Sequence, residues 1–284
     1  MTIKTYTGPL SYYNGENEVP EGSTRISASS ISRFFSNTRQ YWGELKLGET
    51  GFISSTASVL GTITHRVAEL YAKNQEVTDQ DKQDIEDYIV AHTEVGWDLF
   101  NPEVDGDIIR QQYPIMGQAL VRDYVSQNMP VMVEPFVYHE ELPGIGAGGS
   151  IDNVSGVLVD GKVQQGCIVD YKTTSATKIP DTISYPYKLQ LLTYAYLMGK
   201  HGHSIERIRI VYVSRNNVGR VSEKTGKPLK QYPTEVKVLT HQITREDMEY
   251  IENVIKLIAD SIYAWDNNPD LRYLLAHDYR LKEV

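Results

Sequence analysis

The sequence of 284 residues is poor in cysteine: Cys167 is its single thiol. One cysteine cannot form an intrachain disulfide, nor hold a four-cysteine iron–sulfur cluster within this chain. No apolar run is long enough to span a bilayer. The opening stretch MTIKTYTGPL has no apolar signal-peptide region. An intracellular, cytoplasmic setting is the expectation. No P-loop pattern is present, so ATP hydrolysis by this route is not expected. Positive charge is also scarce, with a formal net charge of -9. That balance argues against a broadly basic nucleic-acid coat, though not against a basic groove confined to one substrate track. Internal repeats and low-complexity tracts are absent.

What is there reads first as helix and then as sheet. Residues 1–26 have no clear period and read as an irregular arm. The rest, 27–284, is expected to form one domain: a helical part over 27–128, then a sheet core and C-terminal helix over 129–284. Ser27-Ala28-Ser29-Ser30 offers helix caps before Ile31, Phe34, Phe35, Tyr41 and Trp42, predicting one amphipathic helix that carries both Arg33 and Arg39. A small-residue loop over 48–58 leads to a helix over about 57–72 with His65 and Arg66. An acidic helix is predicted over 78–100, a break at Asn101-Pro102, and a helix over about 107–127 bent at Pro114.

The period then changes to two. Val131, Val133, Phe136 and Val137 predict a strand carrying Glu134. Two short apolar runs follow, each ending in acid: Ser150-Ile151-Asp152 and Cys167-Ile168-Val169-Asp170. A Gly/Asp-rich connection between them can fold back as a hairpin. Pairing the runs brings Asp152 and Asp170 to one sheet edge, and alternation puts Asp170 and Lys172 on one face with Tyr171 on the other. A helix over 185–200 contains Gln190 and Tyr194. Strands are predicted over 207–214 and 235–243. The basic segment between them, 215–231, is a loop or hairpin tip that carries Arg215, Arg220, Lys224, Lys227 and Lys230. Thr244 opens a long final helix. Helices first and a mixed sheet after them predict an α/β or α+β fold: a mixed central sheet flanked by helices.

Four of these pieces occur in an order that resembles the PD-(D/E)XK nuclease superfamily, in its RecB-like exonuclease branch. Gly61-x-x-x-His65 is similar to the branch's helical histidine motif. Gly149-Ser150-Ile151-Asp152 is similar to its first strand motif, Asp170-Tyr171-Lys172 to its D-x-K motif, and Gln190-x-x-x-Tyr194 to its Q-x-x-x-Y helix motif. The resemblance runs from about Ser27 to Tyr194 and on toward the last strand. It departs from some relatives in lacking their cysteine cluster.

The resemblance implies a restriction-endonuclease-like core under a roof of N-terminal helices. It implies a Mg2+- or Mn2+-dependent DNA nuclease, most readily an exonuclease of recombination, repair or replication, standing alone or as a subunit of a larger machine. Asp152, Asp170 and the Tyr171 carbonyl are the implied metal ligands, with His65 as an added ligand or gate. Lys172 orients or deprotonates water, or stabilises oxyanion charge, while Gln190 and Tyr194 position the strand. Arg33, Arg39, Arg66 and the basic segment with Lys224, Lys227 and Lys230 are candidate DNA contacts, and Glu134 a candidate accessory acid. The implied partner is DNA, single-stranded or with a free end. The chemistry is consistent, since phosphodiester hydrolysis needs a divalent ion and Mg2+ takes oxygen ligands.

Each residue also has a plainer role open to it. Asp170 and Lys172 can be a strand-edge ion pair, Asp152 a turn residue, His65 a satisfied helix histidine and Glu134 a solvent-face residue. Gln190 and Tyr194 can bond core groups, and the basic segment can be a solvated tip. A non-catalytic DNA-binding scaffold and an endonuclease of the same fold remain the rival functions.

Overall fold

The structure is a computed structural model that describes residues 11–12, 19–48, 54–93, 104–222, 224–275 and 279–282. In chain order the strands and helices are β1 (Ser11–Tyr12), β2 (Thr24–Ser27), α1 (Ile31–Ser36), α2 (Thr38–Leu47), α3 (Thr56–Asn74), α4 (Asp79–Thr93) and α5 (Gly106–Asp123). They continue as β3 (Met132–Val133), β4 (Phe136–Leu142), β5 (Ile145–Ser150), β6 (Asn153–Val159), β7 (Lys162–Thr174), α6 (Tyr185–Lys200), β8 (Ile205–Ser214), β9 (Val236–Gln242), α7 (Arg245–Asn267), α8 (Pro269–Leu275) and α9 (Tyr279–Lys282). Among the described residues they build a six-stranded mixed sheet, β1-β3-β6-β7-β8-β9, and a three-stranded sheet, β2-β5-β4.

β7 is the spine of the larger sheet. It pairs antiparallel with β6, Asn153 opposite Val169, and parallel with β8, Asp170 opposite Ile210 and Lys172 opposite Tyr212. Asp160 and Gly161 turn β6 into β7 with φ of 50° and 72°, the left-handed pair that a two-residue hairpin demands. One face of the sheet buries Cys167, Val169, Tyr171, Val211 and Val213 against α3, α4 and α5. The other buries Ile168, Ile208 and Ile210 against α6 and α7, in a core shared with the small sheet and with α1 and α2. There Trp42 stacks on Trp265, with centroids 4.4 Å apart and both rings fully buried.

Several sequence expectations are corrected. The helix predicted to carry both Arg33 and Arg39 is two helices, because Asn37 leaves helical geometry and its side chain accepts from the Gln40 amide to cap the second. Arg33 therefore lies on α1 and Arg39 on α2. The serines before α1 make no side-chain cap bond; Ser30 Oγ instead donates to the Ser27 carbonyl. The strand predicted through Glu134 breaks there, since Glu134 adopts φ 51°, and its halves β3 and β4 enter different sheets. The run Ser150-Ile151-Asp152 is not one strand: β5 stops at Ser150 and β6 starts at Asn153, with Asp152 in the bend between. Thr24–Ser27, placed at the edge of the irregular arm, is a strand paired in parallel with β5. Most of that arm, part of the loop over 48–58, the end of the acidic helix and the Asn101-Pro102 break lie outside the described residues. No described helix is long and apolar enough to cross a membrane.

Candidate active site

The motif glycines explain how the site is assembled. A Cβ on Gly61 would stand 3.2 Å from Thr173 Oγ1, so the missing side chain lets α3 lie close against β7. One turn further along α3, His65 then faces the strand. A Cβ on Gly149 would stand 3.1 Å from the Tyr194 ring and hydroxyl; its absence lets α6 settle on β5. The two motif helices thus reach the sheet at points where it carries no bulk.

Between them lie the acids. Asp152 Oδ2 accepts the Tyr171 amide at 2.9 Å and stands 3.3 Å from His65 Nδ1. Asp170 and Lys172 share a face of β7, as alternation requires. Lys172 Nζ donates to Asp170 Oδ1 at 2.9 Å. It is also 2.7 Å from Oδ2, but not aligned for a second bond, and that buried oxygen accepts none. Tyr171 points to the opposite face, where its hydroxyl accepts from Asn153 Nδ2. Gln190 and Tyr194 lie one turn apart on α6.

Burial and mutual repulsion set the charges. Burial, then Asp152, push Asp170 up to about 6 despite Lys172. Burial also raises Asp152, against Lys172 and the Tyr171 amide. Glu134, turned inward by its left-handed backbone, is pushed up to about 8 by burial, Asp152 and Glu69. Burial would lower Lys172, but Asp170 and Asp152 outweigh it and hold its pKa above the ordinary lysine value. Burial and Lys172 pull His65 down to about 4. At neutral pH Lys172 is therefore an ammonium, and the His65–Asp152 contact is made by a neutral imidazole.

Three carboxyls raised by burial, with Asp152 repelling both Asp170 and Glu134, form a hard-oxygen set short of positive charge. This donor chemistry fits a divalent cation. Among the described residues no three His, Cys, Asp or Glu side chains converge closely enough to hold an ion alone. Water and substrate oxygens would complete the shell, which suits Mg2+. Asp152, Asp170 and the Tyr171 carbonyl are the residues that would hold it, with His65 and Glu134 beside them.

The remaining candidates are placed apart. Arg33 pairs with Glu44 and Arg66 with Glu69; Arg39 is exposed on α2. Lys224, Lys227 and Lys230 are exposed beyond β8, and the Lys230 ammonium lies over the Tyr232 ring. Sequence reasoning missed Tyr187, whose ring faces Lys172 Nζ at 5.0 Å. The signal available was its spacing, three residues before Gln190 on the same helix face. It also missed Glu69 and Asn153, for which no local signal exists. An apolar cavity of about 560 Å³ between α3, α4 and α5 contains none of these residues.

Comparison with known proteins agrees with this geometry. No curated protein sequence matches the chain. A candidate exonuclease from Eubacterium rectale superposes with TM-score 0.51 at 14% identity, over 88% of this chain and 85% of that one. A phage-related exonuclease from Haemophilus somnus 129PT gives TM-score 0.36 at 13% identity, over 84% and 93% of the two chains. The alkaline exonuclease LHK-Exo from Laribacter hongkongensis gives 0.33 at 14%, over 71% and 87%. The first likeness shows a shared fold, and the other two are too distant to carry an argument. The family itself rests on the sequence, which matches the profile of the PD-(D/E)XK nuclease superfamily over residues 25–270. That match spans most of the chain, and this chain belongs to the PD-(D/E)XK nuclease superfamily.

Proposed function

We propose that this nuclease is a Mg2+- or Mn2+-dependent exonuclease that hydrolyses DNA from a free end, in recombination, repair or replication. The observation that carries the reading is the buried Asp170–Lys172 pair on β7, with Asp152 beside it and His65 and Tyr194 approaching from opposite helices. When bound, a divalent ion polarises the phosphate and makes its water acidic. Asp152 and Asp170 hold negative charge where that ion must sit. Lys172 is already protonated, so it serves better as a fixed cation toward the developing phosphorane charge than as the base. Neutral His65, with Nδ1 toward Asp152, can accept a proton at its other ring nitrogen. Gln190 and Tyr194 form one wall, and α3 the other.

A strand enclosed between α3 and α6 enters by threading, which requires an end. Linear single-stranded DNA labelled at one terminus should therefore be degraded in Mg2+ and left intact in excess EDTA, while a circle of the same sequence should resist. Equal initial rates on circle and linear strand would establish the endonuclease reading instead. Binding without cleavage under any divalent ion would establish the non-catalytic scaffold.

A further inference from the structure

The basic segment after β8 offers Arg215 and Arg220 at its base and Lys224, Lys227 and Lys230 toward its tip as candidate DNA contacts. Its base is the more built part. Ser214 closes β8 opposite Thr174, and Arg215 follows immediately. The Arg215 amide donates to the Thr174 carbonyl at 3.1 Å and its Nε to the same oxygen at 3.2 Å. The next residue, Asn216, is buried and pins the turn: it accepts the Val218 amide at 2.9 Å, and its carbonyl accepts the Tyr232 amide at 3.0 Å. Fully buried Gln112 on α5 donates to the Val218 carbonyl at 2.8 Å. Asn217 and Gly219, at φ 64° and 77°, then reverse the chain. Arg220 is thereby returned toward Arg215, its amide donating to the Asn217 carbonyl at 3.1 Å and its carbonyl accepting Leu229 at 2.9 Å.

An ordered frame thus fixes the backbone of two half-buried arginines on one short turn. Burial, and after it the Arg220 charge, pull Arg215 below the ordinary arginine value, with no carboxylate opposing them. Among the described residues neither arginine makes an ion pair; the polar side-chain contacts are Arg215 with the Thr174 carbonyl and Arg220 with Asn217 Oδ1 at 3.5 Å. Two arginines fixed on one turn without a counter-charge favour an anion there. Arg215 continues the β8 face that carries Val213, the face covered by α3 and α5. Its Cα lies one strand across and three residues beyond the level of Lys172, about 11 Å by strand geometry, and the Lys172 side chain leaves the sheet on the other face, so a nucleic-acid strand joining the two crosses the sheet's edge. On the Arg215 side Thr173 touches Gly61, one turn from His65.

We infer that Arg215 and Arg220 form a phosphate subsite for the nucleic-acid backbone beside, not at, the cleaved bond. The ligand is a phosphodiester of the same strand that Lys172 meets, so the inference rests on the nuclease reading. Backbone recognition here needs no base contact and serves any sequence.

The test uses the full chain in excess EDTA, so that binding is read without cleavage. Anisotropy of a fluorescein-labelled 20-nucleotide single strand is measured against NaCl for wild type, Arg215→Gln/Arg220→Gln, and Lys224→Gln/Lys227→Gln/Lys230→Gln. About 0.7 of salt slope is lost for each phosphate contact removed from a single strand. The arginine pair should therefore lose a slope of about 1.4, and the lysine triple should lose little. Arg215→Lys/Arg220→Lys should restore most of it. Should the double variant misfold, Arg220→Gln alone serves, because its bond to Asn217 is long; its expected loss is about 0.7. An arginine variant that keeps the wild-type slope overturns the subsite, as does a wild type that binds no strand. Cleavage by wild type with Mg2+ separates the two readings: slope lost without any cleavage keeps the subsite and removes the nuclease reading, while cleavage with an unchanged slope does the reverse.

Discussion

Replacing Gly149 by alanine tests the claim that α6 reads the sheet through a missing side chain. The new Cβ would stand 3.1 Å from both Cε1 and the hydroxyl oxygen of Tyr194. Ordinary carbon contacts lie at about 3.5–4.0 Å, so the ring must yield by about 0.4 Å or more. Tyr194 is 4% exposed, so it has little room to move. Overpacking of this kind costs about 1–3 kcal/mol. Loss of glycine freedom in the unfolded chain returns about 0.4–1 kcal/mol. The net is a destabilisation of up to about 2.6 kcal/mol, centred near about 1.3 kcal/mol, and at that centre a melting temperature lower by about 3–5 °C. Activity should fall further than stability, by about tenfold, because a displacement near 1 Å in a positioning group can cost about a hundredfold. Calorimetry and initial rates on end-labelled single-stranded DNA measure the two effects. Tyr194→Leu makes room for the methyl, so in a double-mutant cycle the pair should couple by about 1 kcal/mol or more. Strict additivity, or a Gly149→Ala enzyme with wild-type rate and melting temperature, would refute the reasoning.

Two further outcomes are expected. His65→Ala should lower the cleavage rate by about a hundredfold or more with little change in urea midpoint; an unfolded variant whose refolded fraction keeps its rate would return His65 to the core. Asp247, the third residue of α7, accepts Lys188 at 2.8 Å, His241 at 2.7 Å and the Thr244 amide at 3.0 Å. Burial alone would raise its carboxyl, but these bonds hold it well below the ordinary value. The stability it contributes is thus present above the unfolded pKa and lost as pH falls. Asp247→Asn should cost about 1–2 kcal/mol at pH 7, and the gap should begin to narrow below about pH 4, closing only as pH falls through the much lower folded pKa. A gap of equal size at pH 3 and pH 7 in urea melts would exclude this.

What could be read from the sequence depended on how local each signal was. The helix Tyr185–Lys200 was legible to the residue, because proline at its second position and a long apolar run leave no competing period. The Asp160-Gly161 hairpin was legible for its turn chemistry. Glu134 was not: nothing in Val-Glu-Pro announces a left-handed residue, so alternation carried the predicted strand straight through it. β5, Ile-Gly-Ala-Gly-Gly-Ser, has the composition of a loop. Its glycines are explained by Tyr138 and Tyr194, which fill the space where side chains would be. The acid–acid–lysine set was legible as a motif. The closeness of His65 to Asp152 depends on how α3 crosses β7, which no local window contains.

The Trp42–Trp265 stack has a consequence for how the protein is made. It joins a helix from the first part of the chain to one near the far end, and an ion pair from Lys46 to Asp266 repeats the link. Contacts of such long sequence separation repay their closure entropy only late. During synthesis the half of the core beneath α1 and α2 cannot be sealed until α7 has left the ribosome. Until then Trp42 and the apolar face of the small sheet stay uncovered, and a nascent chain interrupted before residue 265 is a substrate for chaperones rather than a smaller nuclease.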